Sequence, residues 1–145
     1  MRILGIDPGE KRIGVAMSDP TGTIANPVTV IKHISRTNDA AAIIEIAVEN
    51  QVERIIIGQS LDEEGMPNPQ GRKAARLAEV IQKHTILPVE LWDESGSTQS
   101  ARAARIAMGV PRKKRRGHLD EIAATIILQT YLDAHTDAKD LIQPT

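Results

Sequence analysis

The chain has 145 residues, of which 41% are hydrophobic and 26% are charged, and its formal net charge is −1 at pH 7. This profile is typical of a soluble globular domain, which at this length buries roughly 70% of its unfolded surface without a structural metal or disulfide. The absence of cysteine excludes disulfides, thiolate metal sites and a cysteine nucleophile, and it favours a cytoplasmic location. No apolar run approaches the roughly 20 residues of a membrane span, and the chain enters a strand pattern directly rather than a signal peptide, so no membrane association is expected.

Three short apolar segments at the start of the chain predict a meander of antiparallel strands. Residues 2–7 (RILGID) and 12–19 (RIGVAMSD) flank a DPGEK turn, and Pro-Gly is a strong turn signal. Residues 24–33 (IANPVTVIKH) predict a third strand. Pro27 favours an edge position for this strand, because proline cannot donate a hydrogen bond to a sheet ladder.

Helix and strand patterns then alternate. Residues 53–58 (ERIIIG) predict a strand covered on both faces, since three isoleucines follow one another. A helix is predicted over 35–51, with Ser35 or Thr37 as its cap and apolar residues at helical spacing: Ala40, Ile43, Ile44, Ala47 and Val48. The remaining expectations are a polar loop at 59–71, a helix at 71–84, a strand at 87–94, a helix at 97–109, a basic loop at 110–117 and a long helix at 118–135.

This order of elements predicts an α/β fold. Three meandering strands followed by β-α units indicate a mixed five-stranded sheet with helices on both faces. We expect a single domain over residues 1–135 and a loosely ordered tail over 136–145.

Two acidic positions end predicted strands. Asp7 closes the first strand before Pro8 and Gly9, and an isolated Asp-Pro-Gly is most often an Asx turn. Asp93 and Glu94 close the last strand, where a carboxylate at the carboxyl edge of an α/β sheet points into the usual ligand crevice. The alternatives there are a solvated pair, or Asp93 as a cap for the next helix.

A third acid lies on an apolar helix face. Asp120 shares the predicted face of the last helix with Ala123, Ala124, Ile127 and Tyr131. An unpaired buried carboxylate is costly, so Asp120 needs a cation or a proton. The alternatives are a first turn that reaches solvent, or an ion pair with an arginine of the preceding basic run.

If Asp7, an acid of the Asp93–Glu94 pair and Asp120 converge, their mutual repulsion would be relieved by Mg²⁺ or Mn²⁺, which prefer all-oxygen sites. Two such ions about 3.5–4 Å apart can activate a water and stabilise the leaving oxygen of a phosphodiester.

Cations near these acids would contact nucleic-acid phosphates. With one Trp, one Tyr and no Phe, the chain lacks a platform for stacking bases. The candidate nucleic-acid-binding residues are Lys11, Arg12, Arg112, Lys113, Lys114, Arg115 and Arg116, with His118 as an auxiliary that could shuttle a proton or touch phosphate.

Three motifs together resemble the YqgF/RuvX family over nearly the whole chain: GIDPGEKRIGVAMSD (5–19), WDES (92–95) and RKKRRGHLDEIAATIILQTYLD (112–133). The resemblance implies an RNase H-like fold related to the RuvC resolvases, with metal ligands at Asp7, Glu94 and Asp120. It also implies a nuclease that hydrolyses phosphodiester bonds with Mg²⁺ or Mn²⁺. Family members are associated with 5′-end maturation of pre-16S rRNA, which is the expected function, and with resolution of Holliday junctions by a dimer, which is the alternative. The partner is then nucleic acid, bound by a monomer or a weak homodimer.

The chain departs from the family pattern at two places. The family reads like DERxTT after the last strand, where this chain has Ser95 and Gly96, and like GLPL after the buried strand, where it has Gln59 and Ser60. These departures concern local phosphate pairing and the substrate loop.

Three other functions remain as alternatives. The spacing of Asp7, Gly9 and Gly14 resembles the first phosphate loop of actin-like ATPases, which need a second domain that 145 residues do not supply. A serine hydrolase could use Ser60 with Asp93 and His118, but the second glycine of a nucleophile elbow is missing. A non-catalytic nucleic-acid-binding protein would carry the acids without using them.

Overall fold

The computed structural model describes residues 1–94 and 122–135. Within the first range the elements are β1 (Ile3–Pro8), β2 (Arg12–Ser18), β3 (Ala25–Lys32), α1 (Arg36–Glu49), β4 (Arg54–Gln59), α2 (Pro69–His84) and β5 (Val89–Asp93). Residues 122–135 form a further helix, here the C-terminal helix. The predicted helix at 97–109, the basic loop, the start of the last helix and the tail lie outside the described residues. The predicted domain limits therefore stay a prediction.

The strands form one mixed sheet in the order β3-β2-β1-β4-β5. The pairs β1–β2 and β2–β3 are antiparallel, whereas β1–β4 and β4–β5 are parallel. The predicted five-stranded mixed sheet is thus confirmed, and β3 is an edge strand as Pro27 indicated. Because β1, β4 and β5 are parallel, their carboxyl ends meet at one edge of the sheet.

The two helices that follow β3 and β4 cover one face of the sheet. Helix α1 begins after Ser35, whose hydroxyl accepts a hydrogen bond from the Asn38 N–H at 3.1 Å, so the predicted cap is confirmed. Val48, expected in the apolar stripe, is 66% exposed. That expectation was wrong. The buried stripe ends at Ala47, and Val48 lies about 100° further around the helix, outside that stripe.

Helix α2 begins two residues earlier than predicted. The Asn68 side chain accepts a hydrogen bond from the Gly71 N–H at 2.9 Å, and Pro69 occupies the first helical position. Proline is tolerated there because that N–H has no partner within the helix. Among the described helices, none is long and apolar enough to cross a membrane.

Two apolar clusters lie on opposite faces of the sheet. Leu4, Ile6, Ile55 and Ile57 pack with α1 and α2 on one face. On the other face Ile3 and Ile56 pack against the C-terminal helix through Leu128, Tyr131 and Leu132. The consecutive isoleucines of β4 thus divide between the faces, as predicted for a strand covered on both sides. Helices on both faces are confirmed.

The C-terminal helix lies against bare backbone in the middle of β1. A Cβ placed on Gly5 would come within 2.7 Å of Leu128 Cβ. The glycine therefore permits a close approach that alanine would obstruct. This approach fixes the height of the helix above the face of the sheet that carries Asp7.

Candidate active site

Asp7 lies near the carboxyl end of β1, on the face covered by the C-terminal helix. Ile3 packs in the cluster beneath that helix and Gly5 approaches Leu128, so the two-residue alternation of the strand places Asp7 on the same side. Its partner across the β1–β2 pair is Gly14. Asp7 is half-buried.

Glu94 follows β5 directly, at the same edge of the sheet. Its backbone N–H donates a hydrogen bond to the Gln59 carbonyl at 3.1 Å, which ties the chain after β5 to the end of β4. Trp92 packs against the cluster beneath the C-terminal helix, so alternation directs Glu94 to that face as well. Gln59 belongs to the segment that departs from the family pattern, yet its main chain positions this acid.

The Asp7 and Glu94 carboxyl groups are in hydrogen-bonding contact. Strand β4 separates β1 from β5, and the residue of β4 that lies between the two acids is Gly58. A Cβ on Gly58 would come within 3.0 Å of Glu94 Oε2 and 2.8 Å of Ile127 Cδ1. The two carboxyls meet because the intervening strand has no side chain there.

The contact places two acids where both cannot easily be ionised. Burial raises the pKa of the Glu94 carboxyl above its ordinary value, and the charge of Asp93 acts in the same direction, while the hydrogen bond with Asp7 acts in the opposite one. A pair of carboxyls in contact needs a shared proton or a cation. The donor set is all oxygen, which suits Mg²⁺ or Mn²⁺ better than softer metals.

The third predicted ligand, Asp120, lies outside the described residues. The helix that follows it confirms the predicted apolar face: Ala124, Ile127 and Tyr131 are buried, and Ala123 is half-buried. In residues 1–94 and 122–135 taken alone, no three acidic, histidine or cysteine side chains form a candidate metal cluster. The described part of the chain supplies two carboxylates.

Of the predicted phosphate-binding residues, the structure describes Lys11 and Arg12. Lys11 and Arg12 are exposed in the turn that follows Asp7, where the Gly9 N–H donates to the Arg12 carbonyl at 2.9 Å. The basic run at 112–116 and His118 lie outside the described residues. Lys11 and Arg12 therefore lie at the same edge of the sheet as the two acids.

Sequence reasoning missed two residues of this site, Gly58 and Ile127. Ile127 was assigned only to an apolar stripe, although its side chain borders the space that holds Glu94. The signal for Gly58 was a glycine at the end of a strand otherwise made of isoleucine. Ser60, a candidate nucleophile in the hydrolase alternative, instead accepts a hydrogen bond from Asn68 Nδ2 at 2.6 Å before α2.

Comparisons with known proteins give a consistent picture. The family model described as "RuvX: Holliday junction resolvase" matches residues 1–134. A protein of Syntrophus aciditrophicus (strain SB) named "Putative pre-16S rRNA nuclease" is 42% identical over 139 residues, covering 96% of this chain and 93% of its own. A protein of Clostridium perfringens (strain 13 / Type A) with the same name is 44% identical over 133 residues, covering 92% and 97%.

Solved structures show the same fold. Thermus thermophilus RuvC in complex with a Holliday junction substrate aligns with a TM-score of 0.60 at 18% identity, covering 94% of this chain and 96% of RuvC. The fowlpox virus resolvase in complex with Holliday junction DNA aligns with a TM-score of 0.55 at 13% identity, covering 92% and 98%. The expected RNase H-like fold is confirmed.

Proposed function

The chain belongs to the RuvX family, and we propose that it is a metal-dependent endonuclease that matures the 5′ end of pre-16S rRNA by hydrolysing a phosphodiester bond. The observation that carries this proposal is the contact of Asp7 with Glu94 across Gly58 at the carboxyl edge of three parallel strands. Relatives over 40% identical bear the name of a pre-16S rRNA nuclease, which supports the choice of reaction.

In this proposal Asp7, Glu94 and Asp120 hold the divalent ions. A helical path from the described helix back to Asp120 would put this acid on the face of Ala124 and Ile127, four and seven residues later. Ile127 Cδ1 and Glu94 Oε2 both lie within 3.0 Å of the position that a Cβ on Gly58 would take. The face that would carry Asp120 therefore runs toward the two described carboxyls.

The chemistry follows from this set of acids. Divalent ions bound between such carboxylates lower the pKa of an attacking water and stabilise the leaving oxygen of a phosphodiester. The task of the protein is to keep the acids in place. The hydrogen bond from the Glu94 N–H to the Gln59 carbonyl fixes the main chain from which the Glu94 carboxylate extends.

The cations would hold the backbone of the substrate. Lys11 and Arg12 project from the turn next to Asp7, and the run at 112–116 precedes Asp120 by a few residues. Contacts of this kind bind phosphate irrespective of base. His118, two residues before Asp120, would assist as a proton shuttle or a phosphate contact.

In this proposal the protein does not read bases through aromatic side chains. The chain has one tryptophan and one tyrosine, and both serve the fold. The rings of Trp92 and Tyr131 meet edge to face at 5.1 Å, and Trp92 Nε1 donates to Thr130 Oγ1 at 3.0 Å. Substrate choice would then depend on shape and phosphate position.

Holliday-junction resolution is the second candidate. It is favoured by the description of the matching family model and by the fold shared with two resolvases. A resolvase must cut two opposing strands and so needs two active sites, whereas a nuclease that trims rRNA can act as a monomer. The oligomeric state thus separates the two candidates.

The test uses one preparation of the protein with both candidate substrates. A pre-16S rRNA fragment and a four-way DNA junction are incubated separately with the protein and Mn²⁺, and the mass of the protein is measured by light scattering. We expect cleavage at the 5′ end of the rRNA by a monomer. Specific cleavage of the junction by a dimer, with the rRNA left intact, would instead establish the second candidate.

Point variants test the site within the same assay. Asp7→Asn, Glu94→Gln and Asp120→Asn should each lower cleavage by at least about 100-fold, as should EDTA. Asp93→Asn is the matched control, because it removes the neighbouring carboxylate at the end of β5 and should retain most activity. Undiminished cleavage in EDTA, or by Asp7→Asn, would show that the mechanism is wrong.

A further inference from the structure

A cavity of about 310 Å³ opens beside the end of β1, between the start of α1, the start of α2 and the β1–β2 turn. Its volume is within the range of small-molecule ligand pockets. Ile13 and Leu77 contribute an apolar floor, and Arg36, Lys73, His33 and Glu10 contribute polar groups. The cavity thus combines an apolar surface with groups that can bind phosphate and hydroxyl.

The polar wall of the cavity is held in place by buried contacts. Asp39 is 3% exposed. Its carboxylate accepts a hydrogen bond from the Ile34 N–H at 3.1 Å and is hydrogen-bonded to His33 Nδ1. On the opposite side, Gln70 Nε2 donates to the Pro8 carbonyl at 2.7 Å. The wall is therefore fixed to both α1 and β1.

Arg36 lies where helix α1 alone would disfavour a cation. It is the first residue of α1, close to the positive end of the helix dipole, which favours acids. A position that contradicts local preference is characteristic of a functional site. Lys73, on the second turn of α2, lines the same cavity.

The cavity lies at the same edge of the sheet as the proposed active site, but on the opposite face. Pro8, part of its wall, directly follows Asp7, and consecutive Cα atoms are about 3.8 Å apart. The alternation of the strand puts the Asp7 carboxyl on one face and the cavity toward the other. The exposed turn with Lys11 and Arg12 lies between them, so a strand crossing this turn would reach both.

We infer that this cavity binds one unpaired nucleotide of the substrate strand, on the other side of the β1–β2 turn from the phosphodiester that is cut. The apolar floor would receive the base, Arg36 and Lys73 would bind the adjoining phosphate, and the Glu10 carboxylate would accept a hydrogen bond from a sugar hydroxyl or a base N–H. This inference rests on the proposed function. It adds a requirement for single-stranded nucleic acid beside the cleavage site, since a paired base could not enter the cavity.

Binding in EDTA tests the inference without cleavage. A short fluorescein-labelled single strand, prepared as RNA and as DNA, and a blunt duplex of the same sequence are titrated with the full chain by fluorescence anisotropy. We expect both single strands to bind more tightly than the duplex. Arg36→Gln combined with Lys73→Gln should weaken single-strand binding by about tenfold. The double variant should also lower the salt slope of log Kd by about 0.7 for each phosphate that these side chains neutralise in the parent.

Matched variants separate binding from folding. Lys83→Gln removes one charge from the last turn of α2, as Lys73→Gln does near its start, but away from the cavity, and it should bind within about twofold of the parent. Lys73→Arg keeps the charge and should bind single strands as tightly as the parent does. Thermal unfolding of Arg36→Gln should be unchanged or slightly improved, because a cation is removed from a helix N-terminus.

The outcomes distinguish this inference from the function on which it rests. If the double variant binds and cleaves like the parent while Asp7→Asn does not cleave, the function stands and the nucleotide cavity is wrong. If the parent cleaves neither substrate but binding still depends on Arg36 and Lys73, the cavity stands and the function is wrong. Equal loss of duplex and single-strand binding would overturn the claim that the nucleotide is unpaired.

Discussion

Asp7 lies on β1 and Glu94 directly follows β5, and these two strands do not touch, yet the carboxyl groups of Asp7 and Glu94 meet across Gly58. The strand between them carries the bare backbone of glycine at this one point, and the end of Ile127 closes the space from above. The proposed active site therefore depends on a residue without a side chain as much as on its acids.

Gly58→Ala should inactivate the protein while leaving it folded. The added methyl group would press on Glu94 Oε2 and Ile127 Cδ1, at 3.0 and 2.8 Å from its ideal position. Overpacking of this kind costs about 1–3 kcal/mol of stability, and displacement of a ligating group by about 1 Å costs about 100-fold in rate. Urea unfolding followed by Trp92 fluorescence and the rRNA cleavage assay measure the two effects.

Gly5→Ala is the control for this variant. Its methyl group would meet Leu128 Cβ of the same helix at 2.7 Å, on the same face of the sheet, and the three atoms nearest to it all belong to the Leu128 side chain rather than to an acid. Gly5→Ala should lose more stability than Gly58→Ala, because a Cβ fixed to the helix backbone cannot turn away as the ends of Glu94 and Ile127 can. Relative to the stability that each variant loses, Gly58→Ala should lose more activity than Gly5→Ala. If activity falls in proportion to stability in both variants, the position of the helix matters rather than the position of Glu94.

Asp7→Asn should abolish stabilisation by Mn²⁺ without weakening the metal-free protein. A ligand present at about 100 times its Kd stabilises the folded state by about 2.7 kcal/mol, so Mn²⁺ should raise the Tm of the parent. The variant should show no such rise. Its metal-free Tm should match or exceed that of the parent, because the asparagine amide can donate to the Glu94 carboxylate in place of a second carboxyl.

Differential scanning calorimetry with and without Mn²⁺ checks this prediction. Asp93→Asn should retain the metal-induced rise in Tm, since its side chain is not the one bonded to Asp7. A rise that persists in Asp7→Asn would place the ion elsewhere.

The turn between β2 and β3 should make stability depend on acidic pH. Asp19 Oδ1 accepts hydrogen bonds from the Thr23 N–H at 2.8 Å and the Ile24 N–H at 2.9 Å, and Oδ2 is bonded to the Thr21 hydroxyl. The bond from Ile24 contributes most, followed by those from Thr21 and Thr23, and together they hold the pKa of Asp19 far below its ordinary value of 3.8.

Because the folded pKa is lowered, the contribution of Asp19 is complete above the unfolded value and is lost as the pH falls through the folded one. Asp19→Asn should therefore be less stable than the parent at pH 7, and the difference should shrink below about pH 4. Urea unfolding across this pH range measures it. A difference that stays constant with pH would show that the charge contributes nothing.

The single tyrosine of the chain should ionise late. Burial raises the pKa of the Tyr131 phenol above its ordinary value of 10.0, and the negative charge of Glu90 acts in the same direction, partly offset by Arg54. The phenol donates to Glu90 Oε2 at 3.1 Å. Because the folded pKa is raised, this contribution to stability is complete below the unfolded value and is lost as the pH rises through the folded one.

Absorbance of the tyrosinate band measures this titration, since no other tyrosine contributes. The folded protein should titrate above the same chain unfolded in urea. Glu90→Gln should lower the pKa of Tyr131 by removing the adjacent negative charge. A folded protein that titrates like the unfolded chain would contradict the burial of this ring.

The elements of the fold were largely predictable because their signals are local. Alternation along β1 and β2, the run of isoleucines in β4 and the cap at Ser35 each depend on residues adjacent in the chain. Errors arose where tertiary packing overrides the local pattern. Val48 continues an apolar pattern but faces away from the sheet. The start of α2 at Pro69 was a different kind of error, because the Asn68 cap is a local signal that acts earlier than the apolar spacing suggested.

By itself, the sequence determined that acids follow two strands, that the chain has no cysteine chemistry and that cations are concentrated near the first and third acids. Only the tertiary structure decided that Asp7 and Glu94 meet, because their contact depends on β4 being inserted between β1 and β5 and on Gly58 lying between the two side chains. The cavity of Arg36 and Lys73 likewise joins segments distant in the chain. Such juxtapositions follow from strand order and helix packing, which periodicity along a sequence does not encode.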